Sequence, residues 1–227
     1  MIKNLVNILT SPTEAFKSIS EKPTVLAPFV LLLGVAIFTQ YWVMYTIDFD
    51  YFIEETARQA ALAQDVPESQ VRQGLSEMTP ALMGTIAAVA TAVLLSVVLV
   101  IWATYLNLIA RLGDDRHGFK HFLSLACWTA MPMLFTFLAT ILTTAFSSSG
   151  ELNQSQLNPL SFNSLFFQSS GRLAGLLNSS DPMMLWSLVL SVLGYRYLSS
   201  TSTLKAVIVV LIPMLLIYGI WLSFLLL

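Results

Sequence analysis

The chain has 227 residues, of which 56% are hydrophobic and 11% are charged, and its mean hydropathy is +0.74. A soluble domain of this length cannot hide so much apolar surface, so the chain is expected to use lipid as part of its solvent. Its formal net charge of −2, with the eleven Lys and Arg residues scattered along the sequence, excludes the basic field that nucleic-acid binding requires.

The first 22 residues predict an amphipathic segment on the membrane surface. Apolar residues recur at helical spacing over residues 2–9, which predicts a first short helix. The stretch Ser11-Pro12-Thr13-Glu14 has the pattern of a capping box and predicts a second helix over about 12–21. The residues expected to be buried on it are Ala15, Phe16 and Ile19. We interpret residues 1–22 as an interfacial segment rather than as a docking motif for a soluble partner.

Five apolar runs in residues 23–227 predict an all-α, polytopic membrane domain with five transmembrane helices. The spans are expected at about 25–47, 80–110, 121–146, 182–198 and 205–227. Runs of about 20 apolar residues reach across the roughly 30 Å hydrocarbon core of a bilayer. The fourth run is the shortest, and it spans the core only if Arg196 extends its charged end to the interface.

Two longer loops are expected on the outer side. The first, 48–80, holds seven carboxylates and predicts short helices at about 49–64 and 67–77, with Glu54/Arg58 and Glu68/Arg72 paired at i,i+4. We interpret its carboxylates as solvated helix faces rather than as acid–base or cation-binding groups. The second loop, 147–181, is rich in Asn, Gln and Ser. Its apolar residues are expected to dip into the interface, followed by a small helix at about 172–177.

The distribution of basic residues predicts the orientation. Eight Lys and Arg residues fall in the segments assigned to the inner side, against Arg58, Arg72 and Arg172 on the outer side. Because short cytoplasmic loops carry an excess of Lys and Arg, the N-terminus is expected inside and the C-terminus outside.

Two stripes of small or hydroxylated residues predict how spans pack. In the second span a small residue recurs at every fourth position, and the third span repeats threonine at the same interval. Such stripes let helices approach closely in lipid, so we expect these spans to pair; the first stripe fits a homodimer equally well. The two stripes are Gly84, Ala88, Ala92 and Ser96, and Thr136, Thr140 and Thr144.

Two prolines are expected to kink their spans. Pro132 and Pro213 each remove one helical hydrogen bond, and both stand in a Pro-Met-Leu context. A polar crevice between matching kinks, lined by Asn107, Thr129 and Thr136, is one interpretation. The other is that both prolines are purely structural.

The polar segment between the second and third spans contains both histidines. Four residues in it resemble a set of metal ligands: Asp114, Asp115, His117 and His121. Gly118 separates the histidines, while Arg116 and Lys120 would repel a cation. We therefore interpret the segment as a solvated cytoplasmic turn and expect no metal or other cofactor. The single cysteine, Cys127, makes a thiolate cage impossible.

Four stretches of the sequence together resemble the bacterial branch of the YIP1 family. They are ILTSPTEAFKSISEKP, GFKHFLSLACWTAMPMLF, NPLSFNSLFF and DPMMLWSLVLSVLGYRYLSSTSTLKAVIVVLIP, in this order from about residue 8 to the C-terminus. The resemblance implies five spans, a cytoplasmic N-terminus and a place in the bacterial cytoplasmic (inner) membrane. It brings no catalytic residue with it.

The sequence favours a protein that is not an enzyme. Apart from His121, Arg196 and Lys205 at span ends, no Asp, Glu, Lys, Arg or His stands inside the five predicted spans, whereas intramembrane enzymes and proton-coupled transporters need such groups. A membrane-organising or scaffold protein that acts through helix packing and oligomerisation is the first interpretation. A passive conduit for a lipid or small solute near Pro132 and Pro213 is the alternative. The expected partners are membrane lipid, further copies of the chain and other membrane proteins.

Overall fold

Helices make up the regular structure throughout the described part of the chain. A computed structural model describes residues 2–64, 66–113, 117–153, 155–169 and 172–226. A π-helical turn occupies Asn163–Phe167. The α-helices are α1 (Ile2–Thr10), α2 (Pro12–Glu21), α3 (Leu26–Thr46), α4 (Phe49–Gln64), α5 (Glu68–Leu75), α6 (Pro80–Arg111), α7 (Phe119–Thr129), α8 (Met133–Phe146), α9 (Leu173–Asn178), α10 (Pro182–Leu198) and α11 (Thr203–Leu226). The prediction of an all-α protein is confirmed.

Among the described residues, four helical segments are long and apolar enough to cross a membrane. They are Leu26–Thr46, Pro80–Arg111, Phe119–Phe146 and Thr203–Leu225. These segments coincide with four of the five predicted spans. Helix α10 forms where the remaining span was predicted, but its 17 residues extend only about 26 Å, against a core of about 30 Å. The architecture is that of a polytopic membrane protein with four candidate spans.

The chain divides into two compact units. Unit 1 consists of Met1–Gly34, Val93–Leu134 and Pro182–Leu227, and unit 2 consists of Val35–Ala92 and Phe135–Asp181. Helices α1, α2, α7, α10 and α11 therefore belong to unit 1. Helices α4, α5 and α9, with the π-helical turn, belong to unit 2.

The core of unit 1 is built around the two N-terminal helices. Helix α2 packs against α7 and α10, and α1 packs against α2. The predicted burial of Ala15, Phe16 and Ile19 is confirmed. The apolar face of α2 therefore contacts other helices of the protein, and its place on a membrane surface stays a prediction.

The start of α2 differs from the predicted capping box. The backbone carbonyl of Ser11, rather than its hydroxyl, accepts the N–H of Glu14 at 3.0 Å. The reason is the backbone of Ser11, whose φ of −146° and ψ of 64° lie away from the extended conformation of a side-chain cap.

The core of unit 2 joins the end of α3 to the loops 48–80 and 147–181, which are called the first and second outer loop after the side predicted for them. Buried Val43, Met44 and Ile47 pack with Leu152 of the second loop. The N–H of Asp48 donates to the carbonyl of Gly150 at 2.9 Å. Gly150 has a φ of +71°, and a Cβ there would lie 2.8 Å from the backbone nitrogen of Asp48. A residue without a side chain is therefore required at this contact.

The ion pairs of the first outer loop are not the predicted ones. Arg58 forms a two-pronged pair with Glu55, at 2.8 and 2.9 Å, and Arg72 of α5 pairs with Glu54 of α4. Because α5 folds back along α4, Arg72 reaches Glu54, and Arg58 pairs at i,i+3 instead of i,i+4. The hydrogen bonds from Arg58 lower the pKa of Glu55 below its ordinary value of 4.5, although burial opposes them.

Candidate functional site

Two buried side chains of α7 fasten the turn that joins α2 to α3. The Ser124 hydroxyl accepts the N–H of Thr24 at 3.1 Å and donates to the Thr24 carbonyl at 2.9 Å. The Trp128 indole donates to the same carbonyl at 3.2 Å and to the Thr24 hydroxyl at 3.1 Å. Every polar group of Thr24 is thus bonded to α7, and these bonds hold the turn between α2 and α3 against α7.

Gly194 lies at a close contact among α2, α7 and α10. A Cβ at this position would lie 2.2 Å from Cδ1 of Leu125 and 2.8 Å from Cε1 of Phe16. Real side chains do not approach so closely, so the three helices meet here only because position 194 has no side chain. Beside it, the rings of Phe122 and Tyr195 pack with centroids 6.3 Å apart.

A short break that contains Pro132 separates α7 from α8. Helix α7 ends at Thr129 and α8 begins at Met133. The N–H of Met133 bonds to the carbonyl of Ala130 at 3.0 Å, which is the tighter pattern expected where proline removes a helical bond. All residues of 124–132 are buried, and the Ser191 hydroxyl donates to the Thr129 hydroxyl at 3.2 Å. Packing with α10 therefore fills the space beside this break.

Pro213 lies inside α11, where it leaves the carbonyl four residues earlier without its helical donor. That carbonyl belongs to Val209, and the Tyr105 hydroxyl of α6 donates to it at 2.7 Å. An exposed carbonyl in hydrocarbon costs several kcal/mol, so this bond matters more in lipid than it would in water. The proline thereby links α11 to α6.

The threonine stripe of α8 bonds to three different segments of unit 2. The Thr136 hydroxyl donates to the Asp181 carboxylate at 2.8 Å, and that of Thr140 donates to the Leu157 carbonyl at 2.8 Å. The Thr144 hydroxyl accepts the indole N–H of Trp42 at 3.0 Å. The stripe thus holds the second outer loop and α3 against α8.

The small-residue stripe of α6 has its first two members buried. A Cβ at Gly84 would lie 3.1 Å from the Tyr41 ring, and Ala88 is 5% exposed. Gly84 of α6 and Thr144 of α8 thus both contact α3, through Tyr41 and Trp42. Ala92 and Ser96 are half-buried. Pairing of the two stripes with each other stays a prediction.

The two histidines of the polar segment, His117 just before α7 and His121 in its first turn, lie together. Their rings are 4.9 Å apart and edge to face, and Nε2 of His117 is 3.2 Å from the Ser20 hydroxyl of α2. Asp114 and Asp115 lie outside the described residues. Within the part of the chain that the structure describes, no group of three His, Cys, Asp or Glu residues is placed to hold a metal ion.

The second outer loop is ordered by its own polar side chains. The Ser164 hydroxyl donates to the carbonyls of Ser155 and Asn158 at 2.6 and 2.9 Å. The side chain of Asn163 bonds to both the N–H and the carbonyl of Ser169, at 2.8 and 3.0 Å. These bonds turn the polar side chains inward and leave Phe166 and Phe167 exposed by 70% and 61%.

Comparison with known protein families gives a match over nearly the whole chain. The model of the Yip1 domain matches residues 6–224. The chain belongs to the Yip1-domain family. Searches of curated proteins and of solved structures returned no match to it.

Three of the four stretches on which the family resemblance rests meet at one contact in this Yip1-domain protein. The first supplies Phe16, the second supplies Leu125, and the last supplies Gly194, at the close contact in unit 1. The remaining stretch, NPLSFNSLFF, forms the bonded turn around Asn163 and Ser164 in unit 2. In this chain the quoted stretches therefore supply a helix contact in unit 1 and loop hydrogen bonds in unit 2.

Sequence reasoning missed several residues that hold this Yip1-domain protein together. Gly194 is an isolated glycine in an apolar run, and its role depends on two distant segments meeting there. The sequence does indicate that the Val209 carbonyl needs a donor from outside its helix, because Pro213 has no N–H to offer it. Tyr105 supplies that donor. Trp128 gave a weaker signal, since its indole N–H requires a partner when buried.

Proposed function

We propose that this Yip1-domain protein is a non-enzymatic membrane-organising protein, a scaffold that acts through helix packing and oligomerisation. The observation that carries the proposal is how the polar groups of its buried and half-buried aromatic side chains are used. Trp128, Tyr105 and Trp42 each donate a hydrogen bond to another helix or to the turn before it. In lipid, such bonds and close packing hold helices together where no hydrophobic force does so. These polar groups thus hold helices of the protein together.

The proposed topology has five spans, with the N-terminus in the cytoplasm and the C-terminus outside, in the bacterial cytoplasmic membrane. Three features support it: the eight-to-three bias of basic residues, the family membership, and the exposed Arg196 in the last turn of α10. An arginine at a helix end extends to the interface and lengthens the segment that hydrocarbon can accept. On this topology the turn between α10 and α11 is cytoplasmic.

Self-association is proposed for the outward face of α6. Gly84 and Ala88 are buried within the chain, whereas Val89, Val93 and Val97 on the same helix are 58%, 59% and 47% exposed. In a bilayer these valines contact lipid, another copy of the chain or another membrane protein. We assign them to a second copy, because a scaffold requires contacts beyond its own helices.

Cysteine crosslinking in native membranes tests this assignment. In a Cys127→Ser background, Val93→Cys is expected to form a crosslinked dimer, and Ala88→Cys, on the buried face, serves as the matched control. Crosslinking of Val93→Cys should persist when the protein is expressed at a tenth of the level. If it falls to the level of Ala88→Cys on dilution, the self-association part of the proposal fails.

A conduit for a lipid or small solute is the second candidate. It is favoured by Oδ1 of Asn107, which is buried in α6 with no hydrogen-bond partner among the described residues. Two observations stand against it. The residues around Pro132 are buried, and the Val209 carbonyl, which Pro213 leaves without a helical donor, is bonded to Tyr105. A conduit therefore requires these helices to separate.

Reconstitution into liposomes distinguishes the two candidates. Fluorescent phospholipid and a small neutral dye are followed across the bilayer with and without the protein. Passage no faster than in protein-free liposomes is expected for a scaffold. Passage that is accelerated, and that Asn107→Leu abolishes, would favour the conduit instead.

A further inference from the structure

A groove in unit 1 lies between the first turn of α2 and the last turns of α10. Its volume is about 430 Å³, within the range of small-molecule sites in proteins. Phe16, held by its contact at Gly194, and Leu193 form its apolar part. The turn after α10 closes one end, with Ser200 in a left-handed conformation at φ +45°. The groove is therefore formed by α2 and α10 on two sides and by the turn after α10 on the third.

The polar lining of the groove is suited to an anion. Arg196 supplies a guanidinium group, and Thr13, Ser200 and Thr201 supply hydroxyl groups. The described residues that line it include no carboxylate. A guanidinium group offers two parallel N–H donors to a phosphate, and the hydroxyls add further donors.

The apolar lining continues beyond the groove along α10. Leu193 and Tyr197 line it and are 37% and 39% exposed, and Val189, one turn before Leu193, is 57% exposed. Residues at this spacing share one face of a helix, so an apolar track leads from the groove along α10. A free phosphate ion has no apolar part that could contact these residues, whereas the acyl chains of a phospholipid can pack against them.

We infer that this groove binds the phosphate of an anionic phospholipid, with Arg196 on the phosphate and an acyl chain along Leu193 and Val189. This site is separate from the helix contacts on which the scaffold proposal rests. It makes the docking of α2 on α10 part of a lipid site, because Thr13 and Phe16 of α2 complete the groove.

Native mass spectrometry of the full chain in mild detergent tests the site. The probe is phosphatidylglycerol, with phosphatidylcholine as the zwitterionic comparison and inorganic phosphate as the competitor. Arg196→Gln is expected to weaken phosphatidylglycerol binding about tenfold or more, the loss of a charge-assisted contact. Arg196→Lys should restore part of it, because lysine keeps the charge but not the two-pronged geometry. Lys205→Gln is the matched control: it removes a positive charge beside the same turn but from outside the groove.

The apolar track is tested by a second pair of variants. Leu193→Gln is expected to weaken lipid binding several-fold, while Leu204→Gln, 70% exposed and outside the groove, should leave it unchanged. Both side chains are exposed, so neither change should unfold the protein. Equal losses for Arg196→Gln and Lys205→Gln would overturn the site, as would full binding by Arg196→Gln. Displacement of the lipid by inorganic phosphate at equal concentration would overturn its assignment to a lipid.

Discussion

Adding one methyl group at Gly194 tests the close contact of α2, α7 and α10. In Gly194→Ala the new carbon would lie 2.2 Å from Leu125 and 2.8 Å from Phe16, and both neighbours are fully buried. Overpacking a core costs about 1–3 kcal/mol, and two displaced neighbours place this site near the upper end, at about 3 kcal/mol. Alanine regains about 1 kcal/mol of helix propensity over glycine, so the free energy of unfolding should fall by about 2 kcal/mol.

The assay is thermal unfolding of the purified protein in detergent. For a chain of this length, about 2 kcal/mol corresponds to a fall in Tm of about 4–8 °C. Gly34→Ala and Gly219→Ala are matched controls, because both glycines lie in helices and a Cβ at either would meet nothing within 4 Å. These variants should be unchanged or slightly more stable. A Tm for Gly194→Ala equal to theirs would refute the reasoning.

A double variant separates the steric effect from any other. Leu125→Ala removes the nearest neighbour and by itself costs about 2–5 kcal/mol, as large-to-small changes in cores do. In that background, Gly194→Ala should cost clearly less than in the wild type, because the 2.2 Å contact is gone. If the double variant loses the sum of the two single losses in free energy of unfolding, the methyl group at position 194 does not act through Leu125.

Three further predictions concern individual bonds. Tyr105→Phe leaves the Val209 carbonyl without its donor and should lower the free energy of unfolding by about 1–3 kcal/mol, measured by the same thermal assay. Thr140→Val removes the bond to the carbonyl of Leu157, so limited proteolysis should cut the second outer loop faster than in the wild type, and an unchanged rate would contradict this role. The pKa of Glu55 is lowered in the folded protein, so its pair with Arg58 stabilises above the ordinary value of 4.5 and is lost as the pH falls through the folded pKa. Glu55→Gln should therefore reduce the loss of stability between neutral and acid pH, and an identical acid profile would contradict the assignment.

Hydropathy and helix signals in the sequence predicted most helices of this protein. The apolar runs gave the four candidate spans, and the α4 and α5 helices form close to their predicted limits. These signals are local, because a run of apolar side chains or a proline acts on its own segment.

Tertiary contacts were harder to predict because they depend on segments far apart in the chain. The salt bridge between Arg72 and Glu54 depends on how α5 folds back on α4, which no i,i+4 rule contains. The threonines of α8 were expected to serve as small packing residues. Instead, Thr136 and Thr140 each donate a bond to the second outer loop, because a hydroxyl in an apolar helix finds whichever acceptor the fold brings near.

The bond between Tyr105 and Val209 bears on the order in which the membrane domain assembles. When α11 first enters the bilayer, proline has already removed one of its internal donors, so the helix is incomplete until α6 is beside it. Sliding α11 by one turn, about 5.4 Å, would bring a different carbonyl opposite Tyr105 and leave the free one in lipid. Only one alignment of α11 with α6 therefore gives the Val209 carbonyl a hydrogen-bond donor. Pro213 thus specifies the register between two helices whose bonded residues are about a hundred positions apart in the chain.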